Sequence, residues 1–147
     1  YREGWWSKGD LSRTCWDAGS VLGFPHAMGS DNHLYQHEAG WTDNGDPRFQ
    51  GIFAETGTLE MGTGSRIGHV NQIIPDEDTR GEVSVTFSGR YAPNGDEYTF
   101  GPYTVRADGY TDCRFSARQI SMRVQPVADG DWTIGRWRLS VTPGGKR

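Results

Sequence analysis

The residues that could hold a metal ion gather in the first third of the chain, where His33 and His37 stand close to His26 and Glu38. On an extended strand, positions four apart share a face, so the first two imidazoles could converge on one ion. A zinc-type site requires ligand distances of about 2.0 to 2.2 Å and further groups that orient the ligands. The spacing supplies no such support, and isolated histidines in loop-rich β proteins usually satisfy turns. We therefore predict neither a metal site nor a cofactor.

The acidic and nucleophilic residues form no recognisable catalytic pattern. Glu55 and Glu60 flank a strand junction, but nothing in the sequence pairs them at the roughly 5 to 10 Å that glycoside hydrolysis requires. No Asp-x-Asp-x-Asp-Gly calcium loop, Gly-x-Ser-x-Gly segment or phosphate-binding glycine loop occurs. We expect a protein that binds or assembles, with a polysaccharide-degrading enzyme as an alternative.

The chain has 2 cysteines, Cys15 and Cys113, which are far apart and belong to no zinc-binding spacing. Neither has a histidine beside it in sequence that would activate a thiolate. Two free, buried thiols are favoured over a disulfide, and the redox compartment stays open.

A series of arginines in the last third of the chain offers a candidate assembly surface. The formal net charge is -4, which disfavours general coating of nucleic acid, but the charge is unevenly distributed. Guanidinium groups bind carboxylates and phosphates through paired hydrogen bonds, which suits contacts between subunits. A solvated sheet face is the alternative. The predicted interface residues are Arg118, Arg123, Arg136, Arg138, Asp76, Glu77 and Asp78.

Tryptophans near the start of the chain offer a second candidate surface. Trp5, Trp6 and Trp41 would stack on sugar rings if they were exposed. We favour the alternative that this aromatic group, including Trp16 and Tyr35, packs a core, because aliphatic residues are scarce in this part of the sequence.

Alternating β-strands must position these side chains. Apolar residues recur at every second position in Glu82–Arg90, Glu97–Val105, Gln119–Gln125 and Trp132–Val141, and Arg66–Ile74 also reads as a strand. With 21 Gly and 7 Pro, the composition favours turns between strands over helices. No apolar run approaches the ~20 residues of a membrane-spanning helix. The sequence therefore predicts an all-β fold.

Two domains are predicted, with the boundary in the dense turn signal Asp43–Pro47. Residues 1–45 predict an antiparallel meander with the size of one propeller blade, about 40 to 45 residues. Its four short segments are Gly4 to Ser7, Arg13 to Trp16, Pro25 to Met28 and His33 to His37. The strand pattern of residues 46–147 predicts a β-sandwich that resembles a jelly roll. The start at Tyr1 suggests a processed product or the ordered end of a longer polypeptide. The predicted fold-holding residues are Trp16, Tyr35, Val83, Val85, Phe87, Ile120, Val124, Trp137 and Leu139.

Six segments occur in the order EGWWSKGDLSRTCW, HLYQHEAG, RIGHVNQIIPDE, GPYT, ARQISMRV and WTIGRWRLSVTPGGKR. Together they resemble the carboxyl-terminal part of tail-hub, nozzle or packaged-DNA stabilisation proteins of tailed bacteriophages. The resemblance implies the last blade of a β-propeller, ending in a segment like Ser12 to Glu38, followed by a β-sandwich. It also implies a virion protein that forms a ring with copies of itself, meets other tail or portal proteins, and retains or passes DNA without reading its sequence. No catalytic residues carry over. The alternative is a carbohydrate-binding or host-receptor-binding tail domain.

Overall fold

The chain folds into antiparallel β-sheets, and among the described residues the only helical element is a 3-10 turn at Phe49–Gly51. The all-β prediction is confirmed. Backbone contacts divide the chain into two compact units, Tyr1–Gly40 and Trp41–Arg147, whereas the sequence predicted the division after residue 45. The computed structural model describes residues 11–19, 21, 23–62, 66–76, 79, 81–106 and 109–146.

The smaller unit contains a three-stranded antiparallel sheet in the order β1-β2-β3. The strands are β1 (Arg13–Asp17), β2 (His26–Gly29) and β3 (Leu34–Gln36). The turn between β2 and β3 is closed by the carboxylate of Asp31, which accepts a hydrogen bond from the backbone N–H of His33 at 3.2 Å. This sheet matches three of the four short segments predicted for the meander. The fourth, Gly4 to Ser7, lies outside the described residues.

The prediction that the early tryptophans pack a core is wrong for the two that the structure describes. Trp16 is 57% exposed and Trp41 is 55% exposed. In the described part of the smaller unit, Ala27 is the only buried hydrophobic residue, because the described residues form one sheet without a second layer packed on it. The Trp16 ring instead lies against the His37 ring, with centroids 4.4 Å apart. Tyr35, also predicted as a core residue, is partly buried. The guanidinium carbon of Arg13 lies over the Tyr35 ring, 4.0 Å from the ring centroid.

The larger unit contains two main sheets and a small hairpin. One sheet has the order β10-β9-β12-β6, with β7 also paired to β12, the second has the order β11-β8-β13, and β4 pairs with β5. The strands of this unit are β4 (Thr42–Asp43), β5 (Asp46–Pro47), β6 (Ala54–Glu55), β7 (Leu59–Glu60), β8 (Arg66–Ile74), β9 (Val83–Arg90), β10 (Glu97–Thr104), β11 (Thr111–Ala117), β12 (Gln119–Pro126) and β13 (Arg138–Lys146).

The two main sheets share one hydrophobic core. Val85 and Phe87 of β9 are fully buried, and the Phe87 ring lies 4.8 Å from the ring of Phe115 on β11. Phe100 of β10 stacks on the same Phe115 ring, with centroids 4.6 Å apart. Because β9 and β10 belong to one sheet and β11 to the other, these rings join the layers of a sandwich. The predicted core residues Val83, Ile120 and Val124 are also buried.

A bulge interrupts β10 where it pairs with β9. Phe100 lies opposite Phe87 and Tyr103 opposite Val85, so the register shifts at Gly101 and Pro102. Gly101 has φ +105°, and a Cβ there would lie 2.9 Å from the Val85 carbonyl oxygen. Only glycine fits this backbone without strain.

Candidate functional site

Two of the predicted interface arginines have their guanidinium groups exposed beside β13. Arg136 precedes this strand and Arg138 begins it, opposite Ile74. Within the described residues, no carboxylate or other side chain binds either guanidinium by a hydrogen bond or ion pair. Both charges are therefore available to an external carboxylate or phosphate.

Arg123 is already paired within the chain. Its Nε lies 3.0 Å from Glu55 Oε2, and its guanidinium carbon lies 3.8 Å from the centroid of the Phe53 ring. Arg123 lies opposite Glu55 in the backbone pairing of β12 with its neighbour β6, so the ion pair links the two strands in the same register. Exposed ion pairs contribute about 0 to 1 kcal/mol, so a partner could still compete for this arginine.

Arg118 occupies the crossing between the two sheets. It follows β11 and precedes β12, and its backbone N–H donates to the Arg90 carbonyl at 2.9 Å. Its carbonyl accepts the N–H of Met61 at 2.8 Å. The side chain is partly buried, and within the described part of the chain its Nε has no hydrogen-bond partner. Arg118 is thus less accessible than the exposed Arg136 and Arg138.

Asp76 serves inside the molecule as an anchor for the segment before β13. Its carboxylate accepts hydrogen bonds from the backbone N–H of Arg136 and, at 3.2 Å, from the hydroxyl of Thr79. The Thr79 oxygen in turn accepts from the N–H of Gly135 at 3.2 Å and from the indole N–H of Trp137 at 3.1 Å. The structure therefore brings Asp76 to the backbone of a predicted interface arginine. We call these residues the Asp76 network.

Several other predicted site residues lie outside the described residues. They are Trp5, Trp6, Glu77 and Asp78. Their roles in glycan stacking or in subunit contacts stay predictions.

Trp41 lies at a cleft of the larger unit, which we call the tryptophan cleft. Its cavity volume is ≈ 200 Å³, and its lining residues also include Arg48, Phe49, Asp131 and Trp132. The strand pattern of the sequence did not connect the last four with Trp41, because they come from a turn after β5 and a segment after β12. No local sequence signal indicates contacts across such a separation.

The carboxylate of Asp129 fixes one wall of the tryptophan cleft. Its Oδ1 accepts the backbone N–H of Arg48 at 2.9 Å and of Phe49 at 3.1 Å. These N–H groups begin the 3-10 turn and have no partner within it. Asp129 therefore ties the turn to the segment that follows β12.

The chain matches no protein-family model and none of the curated proteins.

The described part of the chain has neither a metal-ligand cluster nor a membrane-spanning helix. No group of three or more His, Cys, Asp or Glu side chains there is placed to hold a metal ion. No helix there has the length and apolarity needed to cross a membrane.

Both cysteines are free, but only one is buried. Cys113 is 2% exposed in the core, whereas Cys15 on β1 is exposed, which corrects the expectation of two buried thiols. Every residue of β1 after Arg13 is exposed, because the described residues of this unit form one sheet without a second layer packed on it. Burial raises the pKa of the Cys113 thiol to about 11, and the charge of Asp112 adds to the effect.

Thiol labelling of the native chain is expected to modify Cys15 rapidly and Cys113 only after unfolding. The thiolate is the reacting form, and a buried thiol with a raised pKa supplies little of it at mildly alkaline pH. A chromogenic disulfide reagent should therefore report one fast thiol per chain, and a second after addition of denaturant. In the Cys15→Ser variant the fast phase should vanish. A fast phase that persists in this variant would contradict the burial of Cys113.

Proposed function

We propose that the chain is a structural protein of a tailed-bacteriophage virion, a component of the tail nozzle or hub that forms a ring. In this role it meets other tail or portal proteins and helps to retain or pass packaged DNA. The observation that carries the proposal is the pair of exposed guanidinium groups at the start of β13, on a sandwich closed by its own core. The order of the resembling segments along the chain supports the virion assignment. The blade-like and jelly-roll features belong to the same proposal.

In a ring of identical copies, each copy contacts the next copy through one surface and the previous copy through a different surface. Arg136 and Arg138 supply a positive surface. Asp76 is held by the Asp76 network, so the negative surface of the next copy would rely on Glu77 and Asp78, which follow it in the sequence. Complementary charges of this kind steer association and fix its register.

DNA would be met through electrostatics and without base recognition. Arginine binds phosphate oxygens in any sequence context, and such binding weakens as salt concentration rises. The net charge of -4 favours brief contact over tight binding, which suits a channel through which DNA passes.

Reversing the charge of Arg136 and Arg138 together is expected to weaken self-association by at least about tenfold, because two attractive contacts become repulsive. Light scattering coupled to size-exclusion chromatography of the whole chain, over a range of concentrations, measures this change. Raising the salt concentration should weaken the wild-type assembly in the same direction.

The matched control is Arg66→Glu, which reverses an exposed arginine at the start of β8. It should leave the assembly unchanged. A wild-type chain that stays monomeric at high concentration would refute ring formation, as would an Arg136→Glu/Arg138→Glu variant that assembles normally. Cryo-electron microscopy of intact particles that places the chain outside the tail would refute the virion role.

A further inference from the structure

The tryptophan cleft combines aromatic surface with polar groups in a space of ≈ 200 Å³. Trp41 is 55% exposed although tryptophan is on average a well-buried residue. Trp132 is partly buried against the core, and it also lines the cleft. Phe49, which is partly buried, lines the cleft as well. The site therefore presents aromatic surface that the fold itself does not cover.

The walls of the cleft are fixed by hydrogen bonds within the chain. Asp129 holds the turn that carries Arg48 and Phe49, and it comes from the same segment as Asp131 and Trp132. A cleft tied in this way loses little conformational freedom when a ligand enters.

The volume and charge of the cleft select among ligands. Pockets for drug-sized molecules span about 300 to 1,000 Å³, so this cleft suits a single ring better than a nucleotide or a peptide. Asp129 and Asp131 outnumber the single cation Arg48 among its lining residues, which disfavours phosphate and other anions. A neutral ring with one apolar face and several hydroxyl groups meets both conditions.

We infer that the tryptophan cleft binds one pyranose ring of a glycan. The C–H face of the sugar stacks on indole, whose π face carries negative charge density. The Asp131 carboxylate can accept hydrogen bonds from the sugar hydroxyl groups, and the Arg48 guanidinium can donate hydrogen bonds to their oxygens. This function goes beyond the proposed structural role and does not depend on it, because the cleft is built within one chain.

Saturation-transfer difference NMR on the whole chain tests the inference with a defined set of neutral sugars. The probes are the methyl pyranosides of glucose, galactose, mannose, rhamnose and N-acetylglucosamine at millimolar concentration. At least one should receive saturation from the protein. Trp41→Ala is expected to weaken its binding about tenfold, the loss of one aromatic contact. Asp131→Asn should weaken binding several-fold, because it removes a charged acceptor and keeps the size of the side chain.

The matched control is Trp16→Ala, which removes an equally exposed tryptophan from the smaller unit. It should leave binding unchanged. Urea denaturation of each variant verifies that it is folded, and Asp131→Asn tests the site should Trp41→Ala prove unstable. The inference is overturned if no probe receives saturation, or if binding is unchanged in both cleft variants. Neither result bears on self-association, which light scattering measures separately.

Discussion

Replacing Phe87 with alanine is expected to lower the free energy of unfolding by about 3 to 5 kcal/mol. The side chain is fully buried, and its ring joins the two sheets through Phe115, at a centroid distance of 4.8 Å, and contacts Tyr103 at 6.3 Å. Truncation removes the transfer free energy of the ring and leaves a cavity that the rigid sheets cannot close. The free energy of unfolding of a typical domain is about 5 to 15 kcal/mol, so a loss of this size is a large part of the total stability.

Urea denaturation followed by tryptophan fluorescence measures the Phe87→Ala effect. The matched control is Phe53→Ala, since Phe53 is 50% exposed and contacts mainly the Arg123 guanidinium. Its expected loss is below about 1 kcal/mol. Phe87→Leu keeps most of the apolar volume and should lose about 1 to 2 kcal/mol, so it gives a measurable transition even if the alanine variant is unfolded. Equal losses for Phe87→Ala and Phe53→Ala would show that the core is not centred on Phe87.

Replacing Asp76 with alanine is expected to lower the free energy of unfolding by about 1 to 3 kcal/mol. The change leaves the N–H of Arg136 and the hydroxyl of Thr79 without their acceptor. The Thr79 hydroxyl is a partly buried donor, and such a donor costs about 1 to 3 kcal/mol when it loses a charged acceptor, whereas the exposed N–H of Arg136 can bind water instead. Because Thr79 also positions Gly135 and Trp137, the whole segment before β13 should loosen.

Hydrogen exchange of the amides before β13, together with urea denaturation, separates this local loosening from global unfolding. Asp76→Asn keeps one carbonyl acceptor and should lose less than the alanine variant. Asp46→Ala, which removes an exposed carboxylate from β5, is the matched control and should change stability by less than about 0.5 kcal/mol. If exchange before β13 is unchanged in Asp76→Ala, the Asp76 network does not hold that segment.

The alternation of side chains predicted the strands of the larger sheet well. Val83, Val85 and Phe87 are buried while the serine and threonine residues between them are less so, as the period of two requires. Predicted strand Arg66–Ile74 has the observed bounds of β8. Buried aliphatic and aromatic residues on a half-exposed strand give a signal that local sequence alone can carry.

The pattern failed where small residues or side-chain hydrogen bonds decide the structure. β11 (Thr111–Ala117) was not predicted, because its inward positions include Cys113 and Ala117, which give a weak apolar alternation. The segment from Trp132 was predicted as strand, yet β13 begins only at Arg138. The backbone N–H of Gly135 and the indole N–H of Trp137 donate hydrogen bonds to the hydroxyl of Thr79. This segment therefore contacts a loop that is distant in sequence and does not pair as a strand.

The candidate sites were predictable only as single residues. Exposed Trp41 was singled out for glycan stacking, but its cleft partner Trp132 comes from a segment far along the chain. Likewise the charge of Asp76 suggested a partner outside the chain, whereas its carboxylate binds the Arg136 backbone. Such pairings depend on how strands and loops meet in three dimensions, which the spacing of residues does not encode.

The bulge in β10 has a consequence for how molecules of this protein can join. β10 ends the order of the larger sheet, and at Gly101 and Pro102 its register breaks, with the proline offering no N–H. A strand from another molecule that paired with the edge strand β10 would meet a break in the row of backbone donors and acceptors. This break disfavours extension of the sheet at that edge. The bulged edge of β10 is therefore protected against the strand-by-strand pairing that leads to aggregation.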